Sequence, residues 1–450
     1  MPSMASFFLQ RRFMISKFFD ILWGHLSRDE LRKFTLCSIT FMLLVGSYWL
    51  LRVLKDALFD DLVGIVHQPK AKILSMIVIV PLVLIYTRLV DTVERHKLFF
   101  WICTSYSVLF SLILYCYTHP LQIFYTSFLP GNIIGWITYV SVESFGSLAI
   151  GLFWAFMAST TNTASAKRGY PMIYTIGQLG TIATTTMVTK VQFIGFTTLW
   201  AGASCAVFIV PFVIMLLLTT VPQETMQSNV KTNIQKKEKT GLFEGLRLLS
   251  TKPYLLGILV ISTFYEVVVT IMEFQMKMLA RQIYTTRETF AAFLGTYGQA
   301  TNILAFAFAL FGTGIIVRTF GVRFCLVMFP LVSGTIVSAT LFNPSLSIIF
   351  AAAMITKALS YTLNNPVKEL MYIPTSKDVK FKTKSWIEAF GARGSKGTGA
   401  TVCAIFANDL PYLITFGTIA SLSVISVWAT VAFLVGTQYN RLIKEEKIIE

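Results

Sequence analysis

The sequence predicts an all-α membrane protein with about twelve transmembrane helices in two six-helix halves. Of its 450 residues, 55% are hydrophobic and 13% are charged, whereas a soluble protein carries about 25% charged residues. Apolar runs of about twenty residues, long enough to cross about 30 Å of hydrocarbon, recur from one end of the chain to the other. A polar, lysine-rich stretch at 221–252 divides these runs into two sets of six.

The predicted spans follow the apolar runs in order. They cover residues 34–57, 71–90, 98–118, 132–158, 171–192, 196–219, 254–280, 290–316, 320–342, 346–371, 386–408 and 412–436. We therefore expect a cytoplasmic N-terminal segment with an interfacial helix (1–33), a first half (34–219), a cytoplasmic linker (220–253), a second half (254–436) and a cytoplasmic tail (437–450).

The loops indicate the orientation of the spans. Basic residues concentrate in the even-numbered connections, for example Lys167 and Arg168, whereas connections such as 117–131 and 343–345 carry no Lys, Arg, Asp or Glu. Cytoplasmic loops of membrane proteins are the basic ones, so both termini and the linker are expected in the cytoplasm. Two six-helix halves with both ends inside predict a major-facilitator-like architecture, in which solute binds between the halves near the middle of the membrane.

Four charged residues lie in or at the end of long apolar segments: Lys55, Glu143, Glu273 and Lys396. A charge near the bilayer centre costs about 2.5–3.5 kcal/mol, so charges in such places usually line a solute path or a water-filled cavity. The net charge of +16 lies mainly in alternate loops, which indicates orientation rather than nucleic-acid binding. These observations predict a transporter of a charged solute.

The neighbours of two of these charges refine the prediction. Arg52 and Lys55 are three residues apart and share a helix face, and Asp56 follows Arg52 at i+4. This group could bind phosphate with an internal counter-ion, or it could simply extend its charges out of the membrane at a helix end. Glu143 needs a cation, a proton or water at its depth, and a structural salt bridge is the alternative.

The second half offers two comparable groups. Glu273 and Lys277 are i and i+4 on one helix and could pair with each other or exchange partners when phosphate arrives. Lys396 lies in a glycine-rich helix start at 391–399. Glycines at this density could thin the helix and let a bulky solute approach, or they could serve close helix packing.

The sequence carries no pattern that predicts a cofactor, a metal site or an enzyme. The four histidines are scattered and the six cysteines have no paired spacing. A membrane enzyme acting on lipid-linked substrates is the alternative class, but it would need a cluster of histidines or carboxylates at an interface. We find no such cluster in the sequence, and we expect no catalytic residue.

Several motifs resemble the nucleotide transporter family of plastids and intracellular bacteria, which includes the ATP/ADP translocases of rickettsiae and chlamydiae. The most specific piece is 365–374, Asn-Pro-Val-Lys-Glu-Leu-Met-Tyr-Ile-Pro, which is similar to the family's Asp-Pro-Thr-Lys-Glu-Met-Ala-Tyr-Ile-Pro. The other matches are Arg52-x-x-Lys55-Asp56, Glu143-Ser-Phe-Gly, Ala166-Lys167-Arg168, Glu273-x-x-x-Lys277 and Lys396-Gly-Thr-Gly. The resemblance extends from about residue 34 to residue 436, although Phe145, Met276 and Asn365 depart from the family pattern.

The resemblance implies a role for the intramembrane charges. In the family, the lysines and glutamates that match Lys55, Glu143, Glu273 and Lys396 are needed for transport, and Arg52 and Lys277 join them more loosely. We expect these six residues to bind the substrate, with Trp49 or Tyr48 as a stacking surface for adenine.

The resemblance also implies the activity. We expect a monomeric multi-pass carrier of the bacterial inner membrane that binds nucleotide (ATP, ADP or a related compound), has lipid and no nucleic acid as its other partner, and exchanges ATP for ADP by alternating access. The alternative is proton-coupled uptake of nucleotides or NAD, with Glu143 or Glu273 as the protonation site. The sequence leaves this choice and the identity of the nucleotide open.

Overall fold

The computed structural model describes residues 26–119, 124–125, 128–226, 244–311 and 313–449, and twelve main helices run through them. The first half contains α1 (Arg28–Leu62), α2 (Gln68–Thr92), α3 (Arg95–Thr118), α4 (Ile133–Thr160), α5 (Thr163–Thr189) and α6 (Phe196–Thr220). The second half contains α7 (Pro253–Ile283), α8 (Arg287–Phe311), α9 (Thr313–Phe342), α10 (Leu346–Leu359), α11 (Ala392–Phe406) and α12 (Leu410–Lys444).

Two helices of the second half are extended by irregular turns. The helix α10 continues through a π-helical turn, Ser360–Asn364, into the short helix Asn365–Met371. The helix α11 follows the short helix Lys377–Trp386 and a second π-helical turn, Ile387–Gly391. Both interruptions lie in the region of the chain that carries the family-like motifs.

Nine segments in the described part of the chain are long and apolar enough to cross a membrane. The exceptions among the twelve helices are α5, α8 and α11, which the sequence also predicts as spans but which fall short of the length or hydropathy expected of a span. The all-α, twelve-helix prediction is therefore confirmed, with three spans more polar or shorter than the rest.

The ends of the helices differ from the predicted spans for local reasons. The helix α1 begins at Arg28 because Ser27 caps it: its hydroxyl accepts from the Glu30 amide at 3.2 Å, and the Ser27 amide donates to the Glu30 carboxylate at 3.1 Å. The predicted interfacial helix falls mostly at residues 1–25, and most of the predicted linker falls at 227–243, so both lie outside the described residues.

Each half is held together by close helix packing around small residues. In the first half, α1 packs against α5, where Gly169 and Gly177 leave room for the rings of Phe34 and Phe41. A Cβ atom at Gly169 would lie 2.1 Å from the Phe34 ring, so only glycine permits this contact. In the second half, Gly257 of α7 makes the same kind of contact with Val435 of α12.

The two halves meet along α1, α2 and α5 on one side and α7, α8 and α11 on the other. The Gln178 amide of α5 donates to Asn302 of α8 at 3.1 Å, and Gln299 donates to Thr186 at 2.8 Å. At Gly295 the backbones approach so closely that a Cβ would lie 2.9 Å from a main-chain nitrogen of α5. The interface between the halves is therefore tight where α5 meets α8, beside the central helices α1 and α7.

We name the two ends of the bundle by the residues found there. The basic end contains Arg28 at the start of α1 and Thr160 at the end of α4. The opposite end contains Leu62, where α1 ends, and Ile283, where α7 ends.

Candidate functional site

A polar cavity lies between the two halves, in the middle of the bundle. It contains about 510 Å³ of space free of protein atoms, counting its open mouth. Among the described residues, its wall carries six cations and four carboxylates: Arg52, Lys55, Lys72, Lys277, Lys357 and Lys396, and Asp56, Glu143, Glu266 and Glu273. The wall has a formal net charge of +2 and therefore suits an anion.

Glu273 of α7 lies at the centre of the first ion-paired group. It accepts from the Lys357 ammonium of α10, from Nη2 of Arg52 at 3.5 Å, and from the Tyr297 hydroxyl at 3.0 Å. Arg52 also lies over the Trp49 ring, with its guanidinium carbon 5.0 Å from the ring centre. One carboxylate thus holds two cations, and the contact with Arg52 joins the two halves.

Lys55 and Glu143 form the second group, which lies within the first half. The Lys55 ammonium contacts the Glu143 carboxylate, and it lies 3.8 Å from the centre of the Tyr139 ring. The side chain of Lys55 is 1% exposed, so it does not extend out of the membrane as the alternative interpretation proposed. Gly146, one helical turn after Glu143, leaves room for the Tyr48 ring at the cavity wall.

Asp56 and Lys277 form the third group, which again joins the halves. The Lys277 ammonium lies 2.7 Å from Oδ2 of Asp56 and 3.3 Å from Oε1 of Gln68. The Gln68 amide in turn donates to Oδ1 of Asp56 at 2.8 Å. Asp56 also lies 3.6 Å from the Lys55 ammonium, so it is a counter-ion within the predicted group on α1. The other possible local pair, Lys277 with Glu273, is not formed.

Lys396 of α11 lies near the mouth of the cavity. Its ammonium is 3.5 Å from Oε1 of Glu266, and its side chain is 46% exposed. The helix is regular from Ala392 onward, and Gly391 ends the π-helical turn before it. A Cβ at Gly391, Gly397 or Gly399 would lie 2.7, 2.8 or 2.9 Å from a side chain of another helix, whereas a Cβ at Gly394 would meet no neighbour within 4 Å. The glycines therefore serve close packing at three positions and leave open space at the fourth.

A layer of ion pairs closes the cavity toward the opposite end. Between the Asp56–Lys277 pair and the opposite end, Nε of Arg281 lies 2.7 Å from Oδ2 of Asp60. Nearest the opposite end, Nη1 of Arg287 lies 3.8 Å from Oδ2 of Asp61. Each pair joins α1 of the first half to α7 or α8 of the second. Among the described residues, every ion pair that joins the halves lies either in the cavity wall or between it and the opposite end, so we infer that the cavity opens toward the basic end.

The structure brings all six predicted site residues to one cavity: Arg52, Lys55, Glu143, Glu273, Lys277 and Lys396. Sequence reasoning missed Lys357, although it lies near the middle of the predicted span 346–371 and met the same criterion as Lys55. It also missed Lys72, which lies at the edge of the predicted span 71–90.

The described residues contain no cluster of three or more histidine, cysteine or acidic side chains that could hold a metal ion. The polar residues of the cavity are instead mutually paired cations and carboxylates. Such a wall can bind an anionic group by exchanging carboxylate partners for the oxygens of a ligand.

Comparison with known proteins gives the family. The sequence profile of the TLC ATP/ADP transporter family matches residues 9–439. The ADP,ATP carrier protein 1 of Rickettsia prowazekii is 24% identical over 87% of this chain and 89% of its own length. The chloroplastic ADP,ATP carrier protein 1 of Arabidopsis thaliana is 24% identical over 93% of this chain and 76% of its own length.

Solved structures give the same fold. A bacterial homologue of the iron transporter ferroportin, in an inward-facing state, has a TM-score of 0.64 at 12% identity and covers 91% of this chain and 100% of its own. The nucleoside transporter NupG has a TM-score of 0.57 at 13% identity and covers 93% of this chain and 100% of its own. The chain belongs to the TLC ATP/ADP transporter family and is a multi-pass membrane transporter with a major-facilitator-like fold.

Proposed function

We propose that the chain exchanges ATP for ADP across a bacterial inner membrane, with the nucleotide phosphates bound in the cavity between the halves. The observation that supports this most directly is the wall of six cations and four carboxylates around one cavity. Charge-assisted hydrogen bonds to cations are the strong contacts that phosphate groups make in proteins. The family membership supplies the nucleotide, since its relatives are named as ADP,ATP carriers.

The pairs within the cavity suggest how binding is coupled to movement. Two of the bonds that hold the halves together, Arg52 to Glu273 and Asp56 to Lys277, involve cations of the cavity wall. A phosphate that binds Arg52 and Lys277 replaces these carboxylates and weakens the contact between the halves. Bound substrate thus favours opening toward the opposite end. In the empty carrier the pairs form again, and the cavity stays closed toward that end.

The orientation follows from the charged loops. The basic end carries the positive connections, so it faces the cytoplasm, together with both termini. The cavity as described opens toward that end, so the structure corresponds to a cytoplasm-facing state. In this account the protein acts as a monomeric carrier with no chemical turnover of its substrate.

The carboxylates favour exchange over proton coupling. A nearby cation favours the ionised form of a carboxylate, and in the described conformation Glu143 contacts Lys55, and Glu273 contacts both Lys357 and Arg52. Ion-paired carboxylates of this kind serve as counter-ions that phosphate displaces. Proton-coupled uptake therefore remains as an outcome of the test.

Exchange is tested with purified protein in liposomes. Liposomes preloaded with ADP should take up radiolabelled ATP many-fold faster than empty ones, because a strict exchanger needs internal nucleotide to return. A protonophore should change the rate only through the membrane potential. Competition by GTP, UTP and NAD identifies the preferred nucleotide.

A matched pair of variants links the activity to the cavity. Arg52→Gln should abolish most exchange, whereas Arg32→Gln removes the same charge from the basic end of the same helix and should leave exchange unchanged. Arg32 is exposed and donates to the Thr220 carbonyl at 3.2 Å, away from the cavity wall. Full uptake into empty liposomes that is lost with a protonophore would instead establish proton coupling. Absence of uptake for every nucleotide would refute the proposed function.

A further inference from the structure

Lys72 differs from every other cation of the cavity in its partners. Arg52, Lys55, Lys277 and Lys357 each lie within ion-pair distance of a carboxylate, and so does Lys396. Among the described residues, Lys72 has no such carboxylate. Its one hydrogen bond is a long contact of 3.4 Å from Nζ to the Thr270 hydroxyl.

The position of Lys72 shows that it faces the cavity rather than the end of the bundle. It lies in the first turns of α2, only four residues after Gln68, so its side chain could have extended toward the opposite end. Instead it crosses to Thr270 on α7 and is partly buried. An ammonium that is withdrawn from solvent and lacks a counter-ion is costly without an anion nearby.

Lys72 also lines a side chamber that adjoins the main cavity. This chamber contains about 240 Å³ of space free of protein atoms. Lys72, Thr270, Glu273 and Lys277 line both spaces. The chamber therefore extends the cavity beside Glu273, the carboxylate that holds Arg52 and Lys357. Among the described residues that line it, Lys72 is the cation without a carboxylate within ion-pair distance.

We propose that Lys72 binds the terminal phosphate of a nucleoside triphosphate and thereby sets the preference of the carrier between ATP and ADP. The proposal rests on the proposed function. Phosphates shared by the two nucleotides bind the cations that give up carboxylate partners, Arg52, Lys277 and Lys357. The additional phosphate of ATP, with its additional charge, then meets the cation that has no carboxylate to give up.

The test compares ATP and ADP as inhibitors of labelled ADP uptake into ADP-loaded liposomes. Lys72→Gln should weaken ATP about 10- to 100-fold, the equivalent of one charge-assisted hydrogen bond, and ADP by less than about threefold. Lys70→Gln is the control, because Lys70 has the same charge on the same helix but is exposed. It should change neither affinity, and Lys72→Arg should retain most of the ATP preference. Equal losses for ATP and ADP, or no loss, would overturn the proposal.

Two further measurements keep this outcome separate from failure of the proposed function. If wild-type protein takes up no nucleotide, exchange fails, and the proposal about Lys72 in ATP recognition fails with it. If Lys72→Gln does not insert, Lys72→Met keeps the apolar stem and should show the same selective loss. Inorganic tripolyphosphate should also raise the unfolding temperature of the purified protein more than pyrophosphate does. This difference should disappear in the Lys72 variants. Equal stabilisation of the wild type by both anions would count against the assignment.

Discussion

The ion pair between Asp60 and Arg281 should control access to the cavity from the opposite end. Nε of Arg281 lies 2.7 Å from Oδ2 of Asp60, and the Asp60 side chain is 5% exposed. Asp60 also accepts from the Ile65 amide at 2.9 Å. Asp60→Asn therefore removes the charge that joins the halves while its amide oxygen can still accept from Ile65.

The expected magnitude follows from the geometry of the pair. A charge-assisted hydrogen bond contributes about 1.5–3 kcal/mol, and the 30% exposure of Arg281 places this pair at the lower end. A loss of about 1.5 kcal/mol from one of two states shifts their ratio about tenfold. The population that opens toward the opposite end should therefore rise about tenfold in Asp60→Asn.

Cysteine labelling measures this shift. Tyr361 lines the cavity and is 39% exposed, so Tyr361→Cys in a background without the six native cysteines reports access. A membrane-impermeant thiol reagent applied at the opposite end should label it about tenfold faster in Asp60→Asn. Asp61→Asn is the matched control. Asp61 lies 3.8 Å from Arg287 and is 41% exposed, and an exposed ion pair of this kind contributes less than about 1 kcal/mol.

Two results would refute this reasoning. Equal labelling rates in Asp60→Asn and the parent would show that the pair does not hold the halves together. An equally large increase in Asp61→Asn would show that any charge lost at this end has the same effect. Labelling from the basic end should be fast in the parent, and a slow rate there would contradict the open direction of the cavity.

Three further substitutions test other parts of the site. Lys357→Gln should raise the KM for ATP about tenfold, since it removes one phosphate-binding cation but leaves Arg52 to hold Glu273; an unchanged KM would remove Lys357 from the site. Gly146→Ala should lower transport with normal membrane insertion, because its Cβ would lie 2.3 Å from the Tyr48 ring; uptake rates normalised to protein level decide this. Lys396→Arg should retain only part of the uptake, because the guanidinium differs from the ammonium in shape and hydration, whereas Lys396→Ala should lose most of it.

The sequence was sufficient to predict the fold and to select six charged residues that line one cavity. Charges in apolar segments are costly, so Lys55, Glu143, Glu273 and Lys396 could be singled out from one chain, and the structure places them around one cavity. The same criterion should have selected Lys357, which was overlooked. Lys72 was ambiguous because a lysine near a helix start often extends its ammonium into the solvent at the membrane surface.

The partners of these charges could not be predicted. Spacing shows that Glu273 and Lys277 share a helix face, but which group lies opposite that face depends on the packing of other helices. In the structure, α10 presents Lys357 to Glu273, and α1 presents Asp56 to Lys277. The role of the glycines at 391–399 was left open for a similar reason. In the structure, Gly391, Gly397 and Gly399 pack closely on other helices, and the irregular backbone is the π-helical turn Ile387–Gly391, which ends at the first of them.

A structure of the protein in a lipid nanodisc with saturating ADP tests the central claim most directly. We predict density for the phosphates between the halves, within hydrogen-bond distance of Arg52 and Lys357, with Glu273 no longer shared by these two cations. Nucleotide density elsewhere in the protein would contradict the account. So would a complex in which the nucleotide is bound and the Arg52–Glu273 and Asp56–Lys277 pairs are both intact.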